Sequence, residues 1–213
     1  MKITRFTTNL FQENCYLLWS EERKDAFVID PGMMAEDERK CFDDFVLEKG
    51  IIIKRVLLTH VHIDHACSAA YVAQKYGCEI YANVEDADLA LNLPIQAEAF
   101  HLKISVAPLE IKNAVHDGEI MCLADEQIEA LAVPGHSKGG MAYYLSESGS
   151  VFVGDSVFAG SIGRTDLWGG SFTDLVESVK AKLLTLPQET VIYPGHGPST
   201  TVGEEKMRNP YLQ

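Results

Sequence analysis

The residues best suited to chemistry in this sequence stand together in the segment Thr59-His60-Val61-His62-Ile63-Asp64-His65. The segment follows the apolar run Val56-Leu57-Leu58, which we interpret as a buried strand. Neutral imidazole and carboxylate groups are natural ligands of zinc and iron at neutral pH. In an extended backbone His60, His62 and Asp64 would lie on one face. This strand-to-loop segment could therefore supply ligands to two adjacent metal ions.

Four further polar residues stand at the ends of other predicted strands. They are Asp30 after strand 26–29, His136 after strand 127–133, Asp155 after strand 151–153 and His196 after strand 191–193. Because parallel-type strands open onto a crevice at their carboxyl ends, we expect these side chains to meet the histidine-rich segment. The two remaining histidines, His101 and His116, do not stand at the ends of predicted strands, and we predict that they are not metal ligands.

Composition indicates a globular protein, and we expect its partner to be a small-molecule substrate. The 213 residues are 46% hydrophobic and 23% charged, which fits a single domain over residues 1–213. A net charge of −13 disfavours nucleic acid and anionic membrane surfaces as partners. The five scattered cysteines favour reduced thiols in the cytoplasm. There is no apolar leader or span near the first residues, so we expect an intracellular protein.

The hydrophobic pattern predicts two similar halves. It predicts helices at 36–49, 68–76, 85–92 and 171–186, and strands at 3–6, 15–19, 26–29, 51–58, 78–82, 118–123, 127–133, 141–145, 151–153 and 191–193. The segment 93–115 has a weak signal, and we interpret it as a linker and part of a substrate wall. Each half places strands before a helix, so we predict an internally duplicated layout with helices outside two facing sheets.

Seven candidate metal ligands are too many for one ion. They are His60, His62, Asp64, His65, His136, Asp155 and His196. A zinc ion takes about four ligands, so seven suit two ions if one carboxylate bridges them. Asp155 is the best bridge because it stands alone on its strand. Two ions about 3.5–4 Å apart can lower the pKa of a bound water to about 7, so no serine or cysteine nucleophile is needed.

The same residues resemble a known family. The HxHxDH signature at residues 60–65, followed by His136, Asp155 and His196, is similar to that of the metallo-β-lactamase-fold hydrolases. Within them the chain looks most like the short bacterial glyoxalase II-like (hydroxyacylglutathione hydrolase-like) proteins. The segments that carry this likeness are Gly154-Asp155-Ser156-Val157-Phe158, Gly163-Arg164-Thr165-Asp166, Tyr193-Pro194-Gly195-His196-Gly197-Pro198 and Asn209-Pro210. The resemblance implies an α/β fold, a four-layer αββα sandwich, and hydrolysis of a thioester or related ester.

The resemblance also implies how the ligands are divided. One metal would be held by His60, His62 and His136, the other by Asp64, His65 and His196, with Asp155 bridging and Asp30 supporting the ligands from behind. We expect two divalent ions, zinc above all, with iron or manganese as alternatives. Asp64 and Asp155 are the candidate catalytic carboxylates. The chain has no room for the extra helical domain with which full-length glyoxalase II holds glutathione. The identity of the thiol part of the substrate therefore stays open.

Two other activities fit the same residues. A persulfide dioxygenase of this fold would use a single iron at His60, His136 and Asp155, a set of two histidines and one carboxylate. A hydrolase of an unrelated ester or lactone would use the whole set. A binding module without catalysis is disfavoured by the intact ligand set. These alternatives differ in the number and identity of the metals, which the residue types alone do not decide.

Two residues near the ligands have open roles. Arg164 lies in the glycine-rich loop 159–170, where it either holds the anionic tail of a substrate or pairs with Asp166 and shapes the loop. Cys67 stands two residues beyond His65. We predict that it is a small buried thiol of the following helix rather than a site residue. The oligomeric state stays open.

Overall fold

The computed structural model describes residues 1–213, and each half of the chain builds one six-stranded sheet. The strands of the first sheet are β1 (Lys2–Thr8), β2 (Glu13–Trp19), β3 (Asp25–Ile29), β4 (Ile52–Leu57), β5 (Glu79–Ala82) and β6 (Asn113–Ala114). They lie side by side in chain order, antiparallel from β1 to β3 and parallel from β3 to β6. The carboxyl ends of β3 to β6 therefore point to the same edge of the sheet.

The second half contains the strands β7 (Ile120–Leu123), β8 (Glu126–Ala132), β9 (Met141–Leu145), β10 (Ser150–Gly154), β11 (Val157–Phe158), β12 (Ser161–Ile162), β13 (Val191–Pro194) and β14 (Thr200–Thr201). β11 and β12 form a separate small hairpin. The second sheet has the order β14-β13-β10-β9-β8-β7, in which β10 and β13 are parallel and the other neighbours antiparallel. As a result β8, β10 and β13 run in the same direction and end at the same edge.

Seven helices lie between these strands. They are α1 (Glu36–Lys49), α2 (Ile63–Ala66), α3 (Ala69–Tyr76), α4 (Ala87–Leu91), α5 (Leu93–Ala99), α6 (Phe172–Ser178) and α7 (Val202–Arg208). A 3₁₀ turn, Val84–Asp86, precedes α4. In α1 the Glu38 carboxylate accepts hydrogen bonds from the N–H groups of Met34 and Ala35 at the start, and Gly50 ends the helix with φ 64°. No helix combines the length and apolarity needed to cross a membrane.

Three apolar layers hold the two sheets and their helices together. Alternate residues of β2 face opposite sides, so Leu17 packs with Phe42 of α1 while Tyr16 points between the sheets. There the Tyr16 ring lies 5.0 Å from the ring of Phe152 on β10. On the far side of the second sheet, Leu175 of α6 packs in the third apolar cluster. The order of layers is therefore helix, sheet, sheet, helix.

Several elements differ from the sequence-based predictions. Segment 93–115 was interpreted as a linker, but it begins with α5, whose first turn contains Pro94 and whose body is rich in alanine. The helix predicted at 171–186 begins at Phe172, widens into a π-helical turn at Val179–Leu183 and ends there. The C-terminal helix α7 was not predicted; Thr201 caps its start by accepting from the Glu204 N–H.

The prediction that residues 60–64 form one extended run was wrong beyond His62. His62 itself is extended, with φ −74° and ψ 152°, but Ile63 begins α2. The side chain of Gln96 on α5 explains the change, since its Oε1 accepts from the Ile63 N–H at 2.9 Å and its Nε2 donates to the Val61 carbonyl at 3.1 Å. Asp64 therefore leaves the face shared by the extended residues and turns with the helix.

Candidate metal centre

The ends of five strands deliver the candidate ligands to one edge of the sandwich. Asp30 follows β3 and the histidine-rich segment follows β4, while His136, Asp155 and His196 follow β8, β10 and β13. Two hydrogen bonds tie the sheets together at this edge. The Met141 N–H donates to the Thr59 carbonyl at 2.7 Å, and the Tyr16 hydroxyl donates to the Pro194 carbonyl at 2.7 Å. The strand ends of the two halves therefore face each other across a short gap.

Six of the seven candidate ligands fall into two groups. The ligand atoms of His60, His62 and His136 lie within 4.8 Å of one another, and those of Asp64, His65 and His196 do the same. Within the first group His62 Nδ1 is 2.9 Å from His136 Nε2. Within the second, His196 Nε2 is 3.2 Å from Asp64 Oδ2. They coincide with the two sets implied by the family resemblance, and the same distance criterion gives a third group of Asp30, His60 and His65.

Asp155 lies between the two groups. Its Oδ1 is 3.4 Å from His65 Nε2, and its Oδ2 is 3.6 Å from both His136 Nε2 and His196 Nε2. The backbone at Gly195 approaches this carboxylate so closely that a Cβ there would meet Asp155 Oδ1 at 2.3 Å and His65 Cε1 at 2.5 Å. Only glycine allows this approach, which explains the Pro194-Gly195-His196 sequence at the end of β13.

The proton positions of two histidines follow from their partners. His136 Nδ1 lies 2.8 Å from the Arg164 carbonyl oxygen, and His196 Nδ1 lies 3.0 Å from the Phe11 carbonyl oxygen. A carbonyl oxygen only accepts, so each Nδ1 must carry the hydrogen. In the neutral ring the opposite nitrogen, Nε2, then keeps a free lone pair. Both lone pairs point into the candidate centre.

His65 and His60 are oriented in the same manner. His65 Nδ1 donates to Asp30 Oδ2 at 3.1 Å, so its Nε2 lone pair faces that of His196 at 3.3 Å. The Thr59 hydroxyl donates to Asp30 and can accept from His60 Nδ1 at 3.0 Å. His60 Nε2 is then a buried acceptor, and it has no hydrogen-bond partner. Hydrogen bonds of this kind fix the tautomer and ring direction of metal-binding histidines.

The residues present fit divalent metal ions. His65 Nε2 and His196 Nε2 lie 3.3 Å apart, and when both rings are neutral their lone pairs face each other, so this distance requires a proton or a metal ion between them. The buried acceptors His60 Nε2 and Asp155 Oδ1 have no protein partner, and an unpaired buried polar atom is costly. Imidazole nitrogens with carboxylate oxygens are a donor set suited to zinc or iron.

Electrostatics favour the metal-binding state for some of these groups and oppose it for others. Burial lowers the pKa of His60 well below its usual value, and burial together with His136 lowers the pKa of His62 to about 3. Burial raises the pKa of Asp155, but the charges of the surrounding histidines, His65 first, outweigh it and lower the pKa overall. At neutral pH these two imidazoles are neutral and the carboxylate is ionised, as metal coordination requires. Burial lowers the pKa values of His65 and His196, but Asp64 and Asp155 outweigh it and raise both, so the rings of His65 and His196 must lose a proton before they bind a metal ion.

Comparison with known proteins identifies the family. The profile of the metallo-beta-lactamase superfamily matches residues 8–196. The chain belongs to the metallo-β-lactamase superfamily. A curated relative, hydroxyacylglutathione hydrolase GloC of Haemophilus influenzae, is 38% identical over 100% of this chain and 98% of its own length. The predicted fold class is confirmed, since the αββα arrangement recurs in solved structures of this superfamily.

Two solved structures show how closely the fold is shared. The B3 metallo-beta-lactamase BLEG-1 superposes with a TM-score of 0.89 at 28% identity and covers 99% of both chains. TTHA1623 in a di-iron-bound form superposes with a TM-score of 0.86 at 37% identity, covering 98% of this chain and 100% of its own. As its name says, TTHA1623 was solved with two iron ions bound.

Asp30 stands directly behind the candidate ligands of this superfamily site. Its Oδ1 accepts from the Thr59 N–H at 2.7 Å, and its Oδ2 accepts from the Thr59 hydroxyl at 2.5 Å. The same Oδ2 receives the Nδ1 hydrogen of His65. The residue has a positive φ of 49°, a conformation that aspartate tolerates better than most residues. One carboxylate thus orients His65 directly and His60 through Thr59.

Asp86 is a buried residue that the sequence interpretation missed. Its Oδ2 accepts from the Val61 N–H at 3.1 Å and from the Ser137 hydroxyl at 2.8 Å, and its Oδ1 accepts from the Gly139 N–H at 2.7 Å. It therefore joins the loop that carries His60 and His62 to the loop that carries His136. No local signal could have found it, because in the sequence it is an ordinary acidic residue beside a short helix.

A cleft of about 230 Å³ opens above the candidate ligands. Its floor contains candidate ligands, and its walls add the apolar side chains of Phe11, Ile63, Phe100 and Leu167 together with Arg164. Phe100 lies in segment 93–115, which was predicted to form part of a substrate wall. Phe11 and Leu167 were missed, because a single apolar residue in a turn or loop gives no periodic signal.

Arg164 and Cys67 are both engaged by protein groups. The Arg164 guanidinium binds both oxygens of Asp166, at 2.8 Å each, and its backbone carbonyl accepts from His136. This geometry favours the loop-shaping interpretation over direct contact with a substrate tail. Cys67 packs against the first apolar cluster, and burial raises its pKa to about 12, so the thiol stays protonated and unreactive.

Proposed function

We propose that this protein is a metal-dependent hydrolase with a dinuclear centre that cleaves a thioester or a related ester. One ion would be held by His60, His62 and His136, the other by Asp64, His65 and His196, with Asp155 between them. Zinc is our first choice for both ions, with iron or manganese as alternatives. The observation that carries the proposal is the pair of ligand groups, each within 4.8 Å, with Asp155 oxygens facing members of both.

The donor set suggests how the residues would divide the work. Bound divalent ions would polarise a carbonyl group and lower the pKa of a water to about 7. Asp64 is partly exposed to the cleft, so its carboxylate can accept a proton from water and pass it to a leaving thiolate. The carbonyl groups of Phe11 and Arg164 hold the rings of His196 and His136 in place. The apolar walls exclude water from the reacting bond.

The named activities of relatives support hydrolysis. The Haemophilus relative is named a hydroxyacylglutathione hydrolase, which acts on a thioester. A Bacillus subtilis relative at 33% identity is named a probable metallo-hydrolase. Both names agree with the ligand set, and neither decides the acyl or thiol part of the substrate of this chain.

We also propose that residues 1–213 work as one domain on a small-molecule substrate in the cytoplasm. The apolar layer between the sheets contains residues of both halves, which supports one folding unit. All five cysteines are unpaired, which suits a reducing compartment. The charge of −13 disfavours nucleic acid and anionic membranes as partners.

A direct assay separates the proposed activity from its alternatives. Protein purified without chelators and supplied with zinc would be tested for thiol release from thioesters, for opening of lactones and β-lactams, and for oxygen consumption with a persulfide. We expect thiol release with kcat/KM at least 100 times that of the Asp155→Ala variant. Oxygen consumption by an iron-loaded protein without thioester hydrolysis would overturn the proposal in favour of a dioxygenase.

A further inference from the structure

The wall of the cleft is built from aromatic and aliphatic side chains. The rings of Phe11 and Phe100 lie 5.7 Å apart at 79°, an edge-to-face pair. Ile63 and Leu167 complete the apolar lining. Two neighbours in sequence, Leu10 and Trp168, are 69% and 74% exposed, which extends the apolar character beyond the cleft itself. Exposed apolar side chains grouped around a concave site are typical of ligand binding rather than of ordinary surface.

The wall is fixed relative to the candidate ligands by backbone contacts. The Phe11 carbonyl accepts from His196, so the Phe11 ring keeps a set distance from the second ligand group. Asn9 braces the same turn, because its side chain accepts from the Phe11 N–H at 2.9 Å and donates to the Asp64 carbonyl at 3.0 Å. A group bound against Phe11 therefore stands at a fixed position beside the reacting atoms.

The side chains of the cleft walls offer little charge that would attract an anionic substrate group. Arg164 is the only lysine or arginine in the lining, and its Nε and Nη2 groups donate to Asp166. The ion pair carries no net charge, and the whole chain carries −13. A carboxylate bound against these walls would meet no lysine or arginine that is free of a carboxylate partner, so only bound metal ions would attract it. A neutral group would meet matching apolar surface.

We infer that the cleft selects thioesters whose acyl group is neutral and apolar, an aryl or short alkyl group bound against Phe11, Phe100 and Leu167. This inference rests on the proposed thioester hydrolysis and specifies its substrate class. The volume of about 230 Å³ limits the acyl group to a small one, since clefts for drug-sized ligands span roughly 300–1,000 Å³. Phe100 lies at the cleft and makes no contact with a ligand atom of the centre. We therefore assign it to the choice of substrate and not to metal binding.

Matched substrates test the inference. Phenylacetyl, butyryl and succinyl thioesters of one neutral thiol differ only in the acyl group. We expect kcat/KM for the phenylacetyl thioester to exceed that for the succinyl thioester at least tenfold. In Phe100→Ala the phenylacetyl value should fall about tenfold, mainly through KM, while the succinyl value changes less than twofold. The control is Phe172→Ala, which removes a 52% exposed ring outside the cleft lining and should change neither.

Results that contradict the inference about the acyl group can be distinguished from failure of the proposed function. Preference for the succinyl thioester, or equal losses on both substrates in Phe100→Ala, would overturn the inference while leaving thioester hydrolysis intact. Absence of hydrolysis for every thioester would overturn the proposed function instead. Calorimetric binding of the unreactive phenylacetyl ketone analogue then tests the cleft by itself, with Phe100→Leu as a milder variant. Equal binding of the phenylacetyl and succinyl analogues to the native protein would refute an apolar acyl site.

Discussion

At the scale of single residues, four of the five histidines of the candidate centre use one ring nitrogen to fix the direction of the other, and His62 is the exception. The Arg164 and Phe11 carbonyls hold His136 and His196, and Asp30 holds His65. These contacts consume the ring hydrogens and leave lone pairs that face one another. Asp155 brings negative charge between them, so its removal should affect metal binding more than any other single change.

Asp155→Ala should lose metal and activity together. The substitution removes the oxygens that face His65, His136 and His196, so two cations would lie close together with less negative charge to compensate. We expect metal affinity to fall more than 100-fold, beyond the roughly 10–100-fold typical of supporting residues. Elemental analysis after dialysis measures it, with the exposed Asp88→Ala as control. Retention of both metals would show that Asp155 is not the bridge.

Arg164→Ala should lower activity on charged and neutral thioesters by the same factor. Its guanidinium is bound to Asp166, so its loss loosens the loop that carries the carbonyl partner of His136 rather than a substrate contact. We expect a similar effect of Arg164→Lys, which keeps the charge but loses the two-pronged geometry. Steady-state kinetics on succinyl and butyryl thioesters measure the ratio. A rise in KM confined to the succinyl substrate would assign Arg164 to the substrate.

At the scale of elements, strand ends and helix patterns were predictable, while contacts between distant segments were not. Helix α1 has the predicted bounds because its acidic first turn, apolar stripe and Gly50 are all local signals. The short helix α2 was missed, since it depends on Gln96, 33 residues away along the chain. The position of Asp86 is likewise set by the loops that it joins. Candidate ligands could be found from sequence because chemistry restricts their types, whereas supporting residues have ordinary types.

Asp86→Ala should weaken both the fold and the centre. The change leaves three donors unpaired at the loops that carry His62 and His136, namely those of Val61, Ser137 and Gly139. We expect the free energy of unfolding to fall by about 3 kcal/mol or more, since three donors lose their partner and each unpaired buried group costs about 1–3 kcal/mol.

Metal affinity of Asp86→Ala should fall about 10–100-fold, as for other residues that orient ligands. Urea unfolding and metal titration provide the two readouts. Asp88→Ala, two residues away and exposed, should change the free energy of unfolding by less than about 0.5 kcal/mol. An unaltered metal affinity in Asp86→Ala would show that the two loops are held without it.

At the scale of the whole molecule, the candidate centre joins the two halves of the fold. The first sheet supplies His60, His62, Asp64 and His65, and the second supplies His136, Asp155 and His196. Neither half alone contains all the ligands of either group. Bound metal would therefore stabilise the packing of one sheet on the other.

Removal of the metal should lower the unfolding temperature. At a free metal concentration 100 times Kd, binding stabilises the folded state by about 2.7 kcal/mol. For a chain of this size that corresponds to a shift of roughly 5–10 °C. Calorimetric scans with and without a chelator measure it. In Asp155→Ala the chelator should change the unfolding temperature little. An equal change in the native protein and the variant would mean that the chelator does not act through this metal centre.

The number of metal ions bound per chain is the most direct test of the dinuclear centre. Protein supplied separately with excess zinc or iron, and then freed of loosely bound ions, can be analysed for metal and for protein in the same sample. The two ligand groups with Asp155 between them predict two tightly bound ions per chain. A single tightly bound ion under both conditions would contradict the dinuclear centre and favour the mononuclear iron site at His60, His136 and Asp155.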